Sequence, residues 1–155
     1  VVHGVVDELD VHDHLIRVVV DDGLPPAQAD ERRVRQVLEH LLDNARKFSP
    51  PGSEIEVRLA RSGGGLVALS VADSGGGIPA SVQPRVFERF FQVESSSTRQ
   101  AGGLGVGLYL VQRLCDLMGA SVEVASEVGH GARFTVRIPV AQSLAPAGLG
   151  PPSGR

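Results

Sequence analysis

Residues 31–50 read ERRVRQVLEHLLDNARKFSP. The apolar positions Val34, Val37, Leu38, Leu41, Leu42, Ala45 and Phe48 are spaced i, i+3, i+4, i+7, i+8, i+11 and i+14. At about 100° per residue they form one broad arc, so the spacing predicts a helix over 31–48 with that arc against a core. Asp30 stands where an N-cap belongs, and SPPG at 49–52 ends the pattern. A second stripe is polar: Gln36, His40, Asp43, Asn44 and Lys47 share an arc of about 100°. Asn44 borders the apolar face near Val37. There its carbonyl oxygen is available to a hard cation, and Lys47 one turn on reaches toward an anion. A solvated helix face accounts for this stripe better when the helix is read alone.

The elements around this helix fix its layer. HLIRVVVDD at 14–22 is β-branched and reads as a strand, whereas GLPPAQ at 23–28 carries two prolines and reads as a loop. EIEVRLA at 54–60 alternates polar and apolar residues, SGGG at 62–65 turns the chain, and LVALSVAD at 66–73 returns as a second strand, so 54–73 is expected to be a hairpin. A long irregular region follows at 74–103, with one short helix expected near 84–91. A helix over 104–118 places Leu104, Leu108, Val111, Cys115 and Met118 on one stripe, with Gly119 as its stop. SVEVAS and ARFTVRIP are the last two strands, turned by EVGHG. The sum is a two-layer α/β sandwich: a mixed, mainly antiparallel sheet with helices on one face. Residues 1–10 read as the end of an upstream helix or linker, 11–140 as the domain and the Ala/Gly/Pro-rich 141–155 as a disordered tail.

Bulk composition narrows the chemistry. The chain has 155 residues, 42% hydrophobic, enough for one globular domain with its own core. A net charge of −3 gives no reason to expect nucleic acid or contact with an anionic membrane. Cys115 is the only cysteine, which excludes an intrachain disulfide and a cysteine-built metal site and fits a reducing, cytoplasmic setting. No apolar run reaches the length of a membrane span, although a parent protein anchored elsewhere remains compatible with this. Lys47 is the only lysine among fifteen basic residues.

Two glycine-rich stretches are not explained by turns alone. AGGLGVGLYLV at 101–111 crowds glycines against a helix start, where backbone N–H groups meet an anion and side chains would obstruct it. It is not a P-loop, because no Lys-Ser/Thr pair follows the glycines, nor a dinucleotide fingerprint, because polar SSSTRQA precedes them instead of a strand. DSGGGIP at 73–79 ends a buried strand on Asp73. That carboxylate either caps its own glycine turn or accepts a hydrogen bond from the exocyclic amine of a base.

In order along the chain, HLLDNARKFSP, DSGGGIP, VFERFFQ, GGLGVGL and GHGARFTVRIP resemble the five boxes of the ATP-binding catalytic domain of bacterial sensor histidine kinases. That family belongs to the superfamily of gyrase, Hsp90, the histidine kinases and MutL, and the resemblance covers about residues 11–140. It implies a Bergerat-type ATP-binding fold with ATP and Mg²⁺ as cofactors. By similarity Asn44 ligates Mg²⁺, Lys47 contacts phosphate and Asp73 recognises the adenine amino group. Gly75 and Gly77 shape the base pocket, while Phe48 and Ile78 line it. Gly103, Leu104, Gly105, Val106, Gly107 and Leu108 bring backbone N–H groups to the triphosphate. Residues 79–102 form a lid, in which Phe87, Phe90 and Phe91 pack it down or meet the helix carrying the phosphate acceptor.

The resemblance also implies partners. The acceptor histidine lies on a dimerisation and phosphotransfer domain that is not in this chain, a response regulator is served through the full-length kinase, and the isolated domain is monomeric. That domain's motif, a His followed by Glu or Asp, is expected to be missing here, so none of His3, His12, His14, His40 and His130 is read as the acceptor. His40 takes a place where sensor kinases often have Asn and ATP-hydrolysing relatives have a catalytic Glu; its imidazole is expected to bond a phosphate oxygen. Ala132 and Leu104 also depart from the family pattern. Two rivals are a serine kinase of the anti-sigma-factor type, against which VFERFF argues, and a non-catalytic docking module, against which the intact polar positions argue.

Overall fold

The computed structural model describes residues 2–8, 13–93 and 105–141. Its elements are α1 (Val2–Glu8), β1 (Leu15–Val20), α2 (Glu31–Phe48), β2 (Glu54–Ser62), β3 (Leu66–Ala72), α3 (Gly107–Met118), β4 (Ser121–Ser126) and β5 (Ala132–Pro139), with a short 3₁₀ turn at Gln83–Arg85. The five strands form one sheet in the order β1-β2-β3-β5-β4. β1 and β2 run parallel, joined over the sheet by α2; every other pairing is antiparallel.

α2 forms as its spacing requires. The Asp30 carboxylate accepts from the N–H groups of Arg32 and Arg33 at 2.8 and 3.3 Å, which satisfies two of the four orphan donors at the helix start. Val37, Leu38, Leu41, Leu42 and Ala45 are buried. They pack on the inner face of the sheet, where Ile55, Val57, Leu69, Val71, Phe134, Val136 and Ile138 alternate with outward residues. Val111 and Cys115 of α3 complete the layer. Leu41 and Leu42 are fully buried, so truncating either to Ala costs about 2–5 kcal/mol. Phe48, the last member of the apolar arc, departs from it: its side chain is 44% exposed.

The outer face of the sheet carries charge pairs instead of a second layer: Arg133–Glu56 at 3.6 Å, Arg58–Asp21 at 2.9 Å and Arg137–Glu123 at 2.6 Å. α1 lays Val2 and Val5 into the core edge, with Glu8 bonded to Arg35 of α2 at 2.5 Å. The proline loop is tied down by two backbone bonds, Gln28 N–H to the Pro139 carbonyl and Ala141 N–H to the Pro26 carbonyl.

Two expected helices are corrected. Over 84–91 the chain makes only the 3₁₀ turn and then further i→i+3 bonds, Val86 to Gln83, Glu88 to Arg85 and Phe91 to Glu88. Phe90 lies at φ +63° and stops any helix there. The second helix starts at Gly107 and not at 104, because Gly105 is held at φ +69°. At its other end Gly119 supplies the left-handed cap, as expected. The expected tail, apart from Ala141, and residues 94–102 of the expected lid lie outside the described residues.

Candidate nucleotide site

The glycine-rich boxes meet other segments backbone to backbone, and glycine makes each meeting possible. Gly75 lies beneath the end of α2: a Cβ there would sit 2.4 Å from the Phe48 carbonyl oxygen. Gly77, at φ +75°, lies against the β4–β5 turn, where a Cβ would come within 2.1 Å of the Glu127 carbonyl oxygen. Gly131, at φ +79°, returns the contact from the turn, since its Cβ would fall 2.0 Å from the Asp73 carbonyl oxygen. Such distances lie far inside van der Waals contact, so no larger residue fits without moving backbone. A further bond, Gly129 N–H to the Gly76 carbonyl at 2.8 Å, closes the joint.

Asp73 leaves β3 at this joint. Its Oδ1 accepts from Gly75 N–H at 2.8 Å, and its own N–H donates to the Ala132 carbonyl at 2.9 Å. Burial pushes its carboxyl above the ordinary value; the Gly75 and Ala132 amides oppose that push without cancelling it. The bland reading, a cap on its own glycine turn, is therefore realised. It uses one carboxylate oxygen and leaves lone pairs free for a ligand.

Near the middle of α2, a Cβ on Gly107 would lie 3.9 Å from Nδ1 of His40. The polar stripe thus reaches the N-terminus of α3. Among the described residues no side chain caps that terminus, and its leading N–H groups are of the kind that meet an anion. Val106 is the N-cap, and Leu108 turns onto the core. Gly105 packs under the phenylalanine segment: Phe90 N–H donates to its carbonyl at 3.0 Å, and a Cβ on it would meet the Phe91 carbonyl oxygen at 2.8 Å. Gly103 and Leu104 lie outside the described residues.

Asn44 is part-buried one turn from each of His40 and Phe48 and makes no side-chain hydrogen bond to a described residue. Lys47 forms an ion pair with Asp43 at 2.8 Å, one turn back. It is 38% exposed, so it exchanges that partner at little cost. Ile78 is packed against the core edge. Among the described residues there is no group of three His, Cys, Asp or Glu side chains able to hold a metal. The donor set fits Mg²⁺ only as an ion that keeps waters and phosphate oxygens and takes a single oxygen from Asn44.

The phenylalanines divide. Phe87 meets Phe134 edge-on, with ring centroids 6.1 Å apart, and Phe91 is part-buried under the Arg85 guanidinium at 4.6 Å. Phe90 is 61% exposed beneath Arg89. The anchor reading holds for Phe87 and Phe91 and fails for Phe90. Arg89 stacks on Phe90 and, at 6.0 Å, on Tyr109. One histidine also needs correction: His12 precedes Asp13, the His-acid order of a phosphate acceptor. Asp13 lies in a turn into β1, where its carbonyl accepts from Gly52 N–H, and not on a helix.

Sequence reasoning missed Ser126 and Gln83, which bond to the first glycine loop. Neither stands in a glycine- or charge-rich pattern, and only tertiary contact gives them a partner.

An α/β sandwich with a helix N-terminus beside His40 of the polar stripe and a carboxylate on a glycine joint under the end of α2 has the features of a nucleotide-binding class. The model of the histidine kinase-, DNA gyrase B- and HSP90-like ATPases matches residues 29–142, and the chain belongs to that family. Circadian input-output histidine kinase CikA of Synechococcus elongatus is 43% identical over 112 residues, which are 72% of this chain and 15% of that protein. Adaptive-response sensory kinase SasA of Parasynechococcus marenigrum is 39% identical over 127 residues, 82% of this chain and 33% of that protein. The crystal structure of full-length ShkA in complex with AMPPNP superimposes with a TM-score of 0.78 at 34% identity, covering 91% of this chain and 29% of that one. The chain thus spans between 15% and 33% of the two curated relatives. Among the described residues no helix is long and apolar enough to cross a membrane.

Proposed function

We propose that this chain is the ATP-binding catalytic domain of a cytoplasmic sensor histidine kinase segment, binding Mg-ATP and passing its γ-phosphoryl group to a histidine on another domain of the same parent. The observation that carries this is the seating of two glycine loops along the C-terminal half of α2, Gly75 under the Phe48 carbonyl and Gly107 beside His40, about two turns apart. The base end offers the Asp73 carboxylate between Phe48 and Ile78. The phosphate end offers the amides of Gly105, Val106, Gly107 and Leu108, with Gly103 and Leu104 preceding them, and the side chains of Lys47 and His40.

In this reading Asn44 supplies one oxygen to the Mg²⁺ that travels with the nucleotide, and the ion neutralises charge on the phosphates. The chain's residues position the triphosphate and stabilise its charge; none acts as a covalent nucleophile. In the transfer, the bond from phosphorus to the ADP oxygen breaks and a phosphorus–nitrogen bond forms on the acceptor imidazole. Residues 79–102, with the 3₁₀ turn at Gln83–Arg85 near their start, act as the cover. Residues 11–140 make up the domain, and 141–155 lie beyond it. The acceptor domain and a response regulator are the partners of the parent protein.

Titration calorimetry with ATP and ADP, with and without Mg²⁺, tests the reading. Micromolar-range, Mg²⁺-sensitive binding, followed by label transfer to a separately supplied acceptor domain, is the expected result. Label on a protein serine favours the anti-sigma-type kinase, and absence of adenine nucleotide binding overturns the proposal.

A further inference from the structure

Ile78 is gripped by two side chains at both of its backbone polar groups. Its N–H donates to Oγ of Ser126 at 2.8 Å, and that hydroxyl donates in turn to the Gly131 carbonyl at 2.6 Å. Its carbonyl accepts from Nε2 of Gln83 at 2.8 Å, and the same amide nitrogen donates to the Ser126 carbonyl at 2.9 Å. An amide nitrogen carries two hydrogens, and here each has its own carbonyl. The two acceptors also fix which way the Gln83 amide faces. Ser126 uses its one hydrogen and a lone pair. The network is closed, with every member satisfied.

Its position gives it a purpose. Ile78 leaves the first glycine loop directly after Gly77, where the loop touches Glu127. Gly131, held through Ser126, touches the Asp73 peptide from the other side. Ser126 and Gln83 therefore brace the same corner from which Asp73 and Ile78 project. Gln83 is also the first residue of the 3₁₀ turn, and the Pro79 carbonyl accepts from the N–H groups of Val82 and Gln83. The start of the segment over the site is thus pinned to the β4–β5 turn.

We infer that Ser126 and Gln83 are positioning residues for base recognition, fixing Ile78 and the Asp73 peptide in the geometry that receives adenine. The inference rests on the nucleotide reading above and extends it to two residues that contact no ligand. Because the N-terminus of α3 lies beside His40, about two turns of α2 away from Phe48, loosening this corner weakens discrimination of the base and leaves the contacts of that terminus intact.

The test is titration of Mg-ATP and Mg-GTP into the chain and into Ser126→Ala, Ser126→Thr, Gln83→Ala and Gln83→Glu, with amide exchange of Ile78 alongside. Ser126→Ala and Gln83→Ala should each weaken ATP binding about 5- to 20-fold while GTP binding stays unchanged, so the ATP/GTP ratio falls. Ser126→Thr keeps a hydroxyl and should remain within about 2-fold of the parent. Gln83→Glu, which offers a carboxylate to two carbonyls, should do no better than Gln83→Ala. The Ile78 amide should be protected in the parent chain and exchange faster in Ser126→Ala. An unchanged ATP/GTP ratio despite lower thermal stability overturns the inference, as does Ser126→Thr losing as much as Ser126→Ala. Should Ser126→Ala fail to fold, Gln83→Ala decides alone. Failure of the unaltered chain to bind ATP overturns the nucleotide reading itself, a result distinct from loss in the variants only.

Discussion

Two glycines two residues apart offer a controlled measurement of how tightly the site is joined. Gly129 and Gly131 both lie in the β4–β5 turn at positive φ, +85° and +79°. An alanine at either position costs about 1–2 kcal/mol for its left-handed backbone. They differ in what a Cβ meets: nothing lies within 4 Å of Gly129, whereas Gly131 would place its Cβ 2.0 Å from the Asp73 carbonyl oxygen and 2.9 Å from its carbon. Relief requires the end of β3 to move by more than an ångström, which disturbs the bond from Asp73 N–H to the Ala132 carbonyl. Overpacking of this kind adds about 1–3 kcal/mol. Gly131→Ala should therefore cost about 2–5 kcal/mol and Gly129→Ala about 1–2. At about 4 °C per kcal/mol for a domain of this size, the expected falls in Tm are roughly 8–20 °C and 4–8 °C. Circular dichroism melts without nucleotide read both, and urea midpoints at constant slope check that the transition stays two-state. Because the displaced atoms are those of Asp73, Mg-ATP affinity should also suffer more in Gly131→Ala. Equal melting temperatures, or the larger loss in Gly129→Ala, would refute the account of the joint.

Other predictions concern single groups. Asp73→Asn keeps an oxygen for Gly75 N–H but loses the charged acceptor, so Mg-ATP affinity should fall about 10- to 150-fold by calorimetry. Burial raises the folded pKa of Asp73. Its stability contribution is thus fully present below the unfolded value near 3.8 and is lost as pH rises through the folded value. The nucleotide-free Asp73→Asn chain should then be at least as stable as the parent at pH 7, with the gap closing as the parent is titrated toward pH 4; a widening gap in acid would contradict the assigned cause. Cys115 is 1% exposed, and burial pushes its thiol up to about 11, so iodoacetamide should modify it only in denaturant. Labelling of the native chain at the rate of a free thiol would show the core to be more open than described. Phe90→Gly removes an exposed ring held at positive φ. It should change stability by no more than about 1 kcal/mol while reducing phosphorylation of a separately supplied acceptor domain; full retention of transfer would leave Phe90 without a docking role. Incubation of the chain alone with ATP should yield no phosphohistidine, and acid-labile label at His12 would identify the His12–Asp13 pair as an acceptor after all.

Much of the fold was legible because its cause is local. The 3.6-residue period of 31–48 and the Asp30 cap determine α2, and alternation determines β2 and β5, through the side each residue must bury. The order of the polar and glycine-rich stretches carried the resemblance to histidine kinases, since those residue types have few other uses in that arrangement. The irregular segment was less legible: i→i+3 bonding at 83–91 and the Gly107 start of α3 depend on positive φ at Phe90 and Gly105, which neighbouring backbone imposes. Tertiary structure alone decided that Phe48 stays half-open and that Phe90 is not an anchor. It alone brought Ser126 and Gln83 to Ile78, from 48 and 5 residues away. The sequence by itself determined which residues must be buried and which can bind, because burial and charge are properties of each side chain. Their meeting at one corner depends on the close approach of separate backbones, which spacing along a chain does not encode.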